Sequence, residues 1–165
     1  MAFALSISGC VGMADGIAPV KGFEVDRYLG KWYEIARLDH SFEEGLDQVT
    51  AEYSLREDGG VDVRNRGFSS ESNSWEEAQG KAYFVGERDV GHLKVSFFGP
   101  FYGSYVIFEL EQPGYEHAFI ASYNKSYLWL LARKPDVDPS VITQFLATAK
   151  LHGFETDRLI FVNHK

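Results

Sequence analysis

Between Gln48 and Leu55 apolar and polar residues alternate without a break, with Val49, Ala51, Tyr53 and Leu55 at the odd positions. A period of two puts successive side chains on opposite faces of an extended chain, so one face is buried and the other is wet. Gly59-Gly60 supplies a tight hairpin turn, and Val61 and Val63 carry the buried face onward opposite Asp62 and Arg64. Short runs of this kind, separated by turn residues, recur from Gly30 to Arg133, among them 78–84 and 93–97. That spacing predicts an all-β barrel or sandwich.

The runs around 105–110, 117–122 and 127–133 are apolar on both faces, so a further element must cover their outer side. Asp138-Pro139 has the form of a helix start, an N-cap followed by proline at the first helical position. Ile142, Phe145, Leu146 and Ala149 then form one apolar stripe, and Gly153 ends the helix. Leu159-Ile160-Phe161-Val162 reads as a last short strand. The expected architecture is an eight-stranded antiparallel up-and-down barrel over residues 22–165, with one C-terminal α-helix packed outside and a short final strand. Closure removes the open edges, and eight strands enclose room for one small ligand. Ala36, Ala51, Ala78, Gly80 and Ala82 all fall on the inward parity. Small residues there leave space that a packed core would fill.

Net charge is −8, which argues against a duplex nucleic-acid binder and against a polybasic grip on anionic lipid. No run of eighteen apolar residues could cross a bilayer as a helix. The chain has one cysteine, Cys10, so an internal disulfide is excluded. Ile7-Ser8-Gly9-Cys10 resembles a bacterial lipobox, in which the cysteine becomes the acylated N-terminus. A full signal peptide has a basic segment and a longer apolar run. Neither precedes Met1, so residues 1–21 are expected to be a truncated signal-like segment and a flexible tether. Val11 in place of Asp after Cys10 points by lipoprotein rules to the inner leaflet of the outer membrane, facing the periplasm.

Gly30-Lys31-Trp32 followed by Tyr33-Glu34-Ile35-Ala36-Arg37 resembles the opening motif of the lipocalins, specifically the bacterial lipocalin and apolipoprotein D-like branch. Leu131-Ala132-Arg133 matches the family's third motif, and Val95 to Tyr102 is similar to its bacterial members. The middle motif, Thr-Asp-Tyr, is degraded to Leu110-Glu111-Gln112 with Tyr115 nearby. The resemblance covers roughly 22–162 and implies that Gly30, Trp32 and Arg133 close one end of the barrel, with the guanidinium over the indole.

With Trp32 at the floor, counting turns places Phe42, Leu46, Trp75, Phe101, Tyr102 and Tyr127 at the mouth. These apolar groups suit a greasy entrance, or in the competing reading a homodimer contact. Strand parity nominates Ala36, Leu38, Ala51, Tyr53, Val63, Asn65, Ala82, Phe84, Val95, Phe97, Tyr105, Ile107 and Trp129 as the lining. Glu34 shares the inward parity, and a buried carboxylate must be paired or hold its proton. The resemblance implies a fatty acid, a lysophospholipid or a similar membrane lipid as partner, bound without any cofactor.

Three other functions compete. Enzymes are disfavoured because no Gly-x-Ser-x-Gly or His-Glu-x-x-His motif is present. Asp39, His40, Glu43 and Glu44 read as a solvated loop. Metal and haem carriers are disfavoured because the histidines lack ligand spacing. A structural envelope protein with a packed barrel is the third alternative, and the small inward residues speak against it.

Overall fold

A computed structural model describes residues 11–165. The lipobox-like Cys10 lies outside the described residues. A short helix, α1 (Val25–Tyr28), leads into β1 (Gly30–Leu38), β2 (Leu46–Leu55), β3 (Val61–Ser69) and β4 (Ser74–Phe84). Then come β5 (His92–Phe98), β6 (Phe101–Leu110), β7 (His117–Ala121) and β8 (Leu128–Ala132). The long helix α2 (Pro139–Leu151) and β9 (Leu159–Phe161) complete the chain. All pairings are antiparallel in the order β2-β3-β4-β5-β6-β7-β8-β1-β9, and a β1–β2 pairing closes the barrel.

The β2–β3 hairpin shows why two glycines are needed in its turn. Gly59 has φ +83°, and a Cβ on Gly60 would stand 2.5 Å from Tyr83 Cε1. At α2, Asp138 accepts from Ser140 N at 2.8 Å and Pro139 opens the helix. Its buried side chains Phe145 and Ala149 join Val106, Phe108, Phe119, Ala121, Leu128 and Leu130 in an outer core. This is the cover that the doubly apolar strands require.

Residues 11–21 do not form a flexible tether. Ala14 and Ile17 are buried in the outer core, and Ala14 N donates to Ser122 O at 3.1 Å. Val20 N donates to Ile107 O at 2.9 Å, and Lys21 pairs with Val90. The apolar members of a Gly/Ala-rich stretch found a surface to cover, and that burial outweighs the freedom of the linker composition.

Strand β1 forks. Its first half pairs with β2 from Gly30↔Tyr53 to Tyr33↔Thr50, while its second half pairs with β9 from Ala36↔Phe161 to Leu38↔Leu159. A bulge between Glu34 and Ala36 separates the halves. One extra residue exchanges the two faces of a strand. Ala36 and Leu38 therefore pack in the outer core under α2, and Arg37 turns inward. This corrects their assignment to the lining.

The closed end is sealed by Arg133, whose guanidinium carbon lies 3.9 Å from the Trp32 ring centroid. Its Nη1 donates to Leu29 O and Lys31 O, Nη2 to Arg27 O, and Nε to Tyr115 O. Trp32 is fully buried, with its indole N–H donating to Tyr28 O at 2.8 Å. Gly30, at φ +95°, lies beside the same guanidinium. Replacing Arg133 by Ala should lower the unfolding free energy by about 2–3 kcal/mol, from one cation–π contact and several carbonyls left without their donor. Urea denaturation of the purified variant measures this.

Candidate functional site

Inside the barrel an inner chamber of about 110 Å³ opens into a wider, solvent-open vestibule of about 930 Å³. The two share Phe42, Glu43, Val49, Asn65, Val95, Phe97, Ser104 and Trp129, so they form one continuous space. Of the thirteen residues nominated from strand parity, Ala51, Tyr53, Val63, Asn65, Ala82, Val95, Phe97, Tyr105 and Trp129 line the inner chamber. Phe84 instead packs at the closed end, with its ring 6.1 Å from Phe23 and Arg88 above it. Ile107 faces the inner core but is fully buried beneath the chamber wall.

The small inward residues differ in what fills the space beside them. Ala51 and Ala82 border the chamber, and Ala78 borders the vestibule. A Cβ on Gly80 would stand 2.8 Å from Phe97 Cδ1. That glycine makes room for a ring rather than for a ligand.

At the mouth, Phe42, Leu46, Phe101, Tyr102 and Tyr127 surround the vestibule together with Phe98 and Tyr123. Phe98 is 79% exposed and Phe101 71% exposed. Trp75 does not line it. Its ring stacks under Arg66 at 4.0 Å and beside Phe68, cross-strand neighbours on the barrel's outer wall.

Of the loop expected to be solvated, Asp39 and Glu44 are exposed, but the His40 and Glu43 side chains are buried in a charge network, which corrects the placement of those two. Arg37 Nη1 donates to Glu34 at 3.0 Å, its Nε to Asp39 at 3.1 Å and its Nη2 to Glu43 O at 2.9 Å. His40 Nε2 stands 2.9 Å from the Glu43 carboxylate, which also accepts from the Trp129 indole. Glu34 and Glu43 both border the chamber. The Asp-His-x-x-Glu run gave no periodic signal of burial. What buries it is the inward turn of Arg37 after the bulge.

Burial, then the neighbouring Glu43 charge, pushes the Glu34 carboxyl well above the usual range, with Arg37 working against them. Burial would raise Glu43 too, but His40, the Trp129 N–H and Arg37 outweigh it and hold that carboxyl below its ordinary value. Among the described residues no group of three or more His, Cys, Asp or Glu could hold a metal ion.

Three tyrosines border the chamber's inner end. Tyr105 Oη lies 2.7 Å from Tyr28 Oη and 2.9 Å from Tyr53 Oη. Burial pushes all three phenols above their ordinary value, so each keeps its proton. Tyr28 and Phe23 reach this floor from the segment before β1, and Tyr115 reaches it from the β6–β7 turn. Strand parity does not reach Tyr28, Phe23 and Val25, because they precede β1 and the helix there is only four residues long.

The raised Glu34 has a consequence for stability. Between its ordinary value near 4.5 and its value in the fold, the folded chain holds a proton that the unfolded chain has released, so stability falls as pH rises. Glu43, shifted the other way, loses stability only on the acid side of its ordinary value. Glu34→Gln removes the first effect. Urea unfolding at pH 5 and pH 8 should show the difference between variant and wild type moving in the variant's favour at pH 8.

Comparison with known proteins gives a consistent result. The lipocalin-like domain family matches residues 23–164. The outer membrane lipoprotein Blc of Vibrio cholerae is 56% identical over 159 residues, spanning 96% of this chain and 93% of that protein. The protein of the same name from Escherichia coli K12 is 47% identical over 147 residues, spanning 89% and 82%. Apolipoprotein D of Mus musculus is 27% identical over 146 residues, spanning 84% and 76%. Among solved structures, insecticyanin from the tobacco hornworm Manduca sexta has a TM-score of 0.74 at 19% identity, covering 93% of this chain and 87% of its own. That last likeness is one of fold alone.

Proposed function

The chain belongs to the lipocalin family, and from that premise we propose that its barrel takes up one acyl-chain lipid and stores or ferries it at the bacterial outer membrane. The fatty acids and lysophospholipids are the favoured class. The observation that carries this reading is the continuous apolar space from vestibule to inner chamber, kept open by Ala51 and Ala82. Burying a sixteen-carbon chain contributes on the order of 12 kcal/mol gross, from about 0.8 per methylene. Association and ordering return several of these, so micromolar to nanomolar affinity is the expected range.

The exposed Phe98, Phe101 and Phe42 at the mouth support a greasy route for a lipid leaving a membrane. Relatives named outer membrane lipoproteins, together with the lipobox-like Cys10, support a lipid-anchored carrier working in membrane maintenance. Catalysis has no support from the cavity. The carboxylates that border it are tied to Arg37 and His40. Ser104, whose hydroxyl lies 3.0 Å from His92 Nε2, sits in the wall with no further charged partner beside that pair among the described residues, so the cavity supports binding better than turnover.

Substituting Ala82 or Ala51 by Phe should fill the chamber while leaving the barrel intact. Displacement of a fluorescent fatty acid should weaken by at least about tenfold, equivalent to about 1.4 kcal/mol, with the circular dichroism retained. Wild-type affinity in both variants would refute the proposed lining.

A further inference from the structure

The Tyr28–Tyr105–Tyr53 cluster has a hydrogen count that its own bonds cannot absorb. Three phenols bring three O–H protons, and the cluster contains two hydrogen bonds. Whichever way those bonds point, each uses one proton, so one O–H is always left over. If Tyr105 accepts from both neighbours, the spare proton is its own. If it donates to one of them, the spare proton moves to that end. Among the described residues no other acceptor takes a bond from any of the three hydroxyls. Tyr28 and Tyr53 are buried, Tyr105 is half-buried, and all three border the inner chamber, so the leftover donor points into the chamber.

The position of this donor is informative. Tyr53 stands opposite Gly30, and the Tyr28 ring lies 4.7 Å from that of Trp32, so the cluster sits one layer above the sealed end. From Leu46 at the mouth to Tyr53 the wall runs seven residues of β2, about 24 Å of strand. The walls between carry Asn65, Thr50, Ser104 and the Glu34–Glu43 network as polar groups and are otherwise apolar. A lipid entering chain-first would place its far end, ordinarily pure hydrocarbon, against a phenol seeking an acceptor.

Building on the carrier reading above, we propose that the inner end of the cavity is a subsite for a neutral oxygen. The bound lipid then carries a hydroxyl, keto or un-ionised carboxyl group at the end that goes in first. A single spare donor suits a neutral oxygen. A carboxylate buried there would need several donors, and the cluster has one. A neutral oxygen accepts the leftover proton, and a hydroxyl among them can return a proton to a tyrosine lone pair.

The counting argument sets the experiment. Any connected subset of the cluster keeps one spare proton, so single Tyr→Phe changes do not abolish the subsite. Only the combined Tyr28→Phe, Tyr53→Phe and Tyr105→Phe variant does, and it removes donors and acceptors together, which costs little stability. Matched saturated fatty acids with and without a terminal hydroxyl, from twelve to eighteen carbons, would compete for a fluorescent fatty acid on wild type, Tyr53→Phe and the triple variant. The hydroxylated-to-plain affinity ratio should fall about tenfold in the triple variant, the cost of burying a hydroxyl with no partner. It should hold in Tyr53→Phe. A plain acid that itself loses affinity in the triple variant, with the hydroxylated acid unmoved, would identify the inserted oxygen as the carboxyl group and support the same subsite.

Equal ratios in all three proteins would overturn the subsite while leaving the carrier reading intact. Failure of every acid to bind the wild type would overturn both. Should the triple variant not fold, carbon-13 spectra of wild type labelled at tyrosine Cζ decide the matter. Hydroxylated acids should shift the buried tyrosine signals relative to plain acids of equal length, and identical spectra would end the proposal.

Discussion

The guanidinium of Arg133 is where the barrel's two ends of sequence meet. It lies over the ring of Trp32 from the start of β1 and gathers carbonyls of Arg27, Leu29, Lys31 and Tyr115. Those carbonyls come from α1, from the start of β1 and from the β6–β7 turn, elements that no strand ladder joins at this point. A cation with donors in a fixed fork satisfies them without filling the barrel with protein. With the floor held by one side chain and its stacking partner, the layers above need not meet at the axis. Ala51 and Ala82 can remain small, and the chamber can remain hollow.

A second cation plays a comparable part near the entrance. Arg37 balances Glu34 and Asp39 and reaches the backbone of Glu43, while His40 and Trp129 hold the Glu43 carboxylate. Buried charges are tolerated only when paired and hydrogen-bonded. Arg37 meets that condition for Glu34, while His40 sits 2.9 Å from the Glu43 carboxylate with neither ring nitrogen in a well-formed hydrogen bond. Together they lend the cavity wall a polar stripe amid aliphatic and aromatic surface. Hydrocarbon therefore meets a uniform wall on most sides and a fixed, structured one beside Trp129.

Most of the architecture was legible because alternation and turn chemistry are local. The period of two in 48–55, the glycine pair after it and the capped stripe of α2 each report on their own neighbourhood. Ala36 and Leu38 could not be placed that way, since a single bulge at Glu34–Ala36 inverts everything after it and leaves no mark on composition. The same inversion hid the burial of His40 and Glu43, whose surroundings depend on where Arg37 points. Loop counting puts Trp75 at the mouth, yet its cross-strand partner Phe68 and the Arg66 guanidinium hold its ring away from the vestibule. Tyr28 carries no signal in the sequence because a four-residue helix is too short to show a period. Its importance lies in hydroxyl contacts with Tyr105, and such contacts are a property of three dimensions.

The fork in β1 gives the entrance a mechanical character of its own. Below the bulge the circumference is continuous main-chain ladder, but above it β1 has turned away to β9. The gap toward β2 is spanned by Arg37, whose Nη1 reaches Leu46 O, and by the tail, where Gln48 N meets Asn163 O and Asn163 N meets Asp47. A bulky guest pressing on this seam would strain a few discrete bonds and leave every strand pairing intact. At this seam the rim is held by discrete side-chain and tail bonds in place of a ladder, and the last residues of the chain work as its clasp.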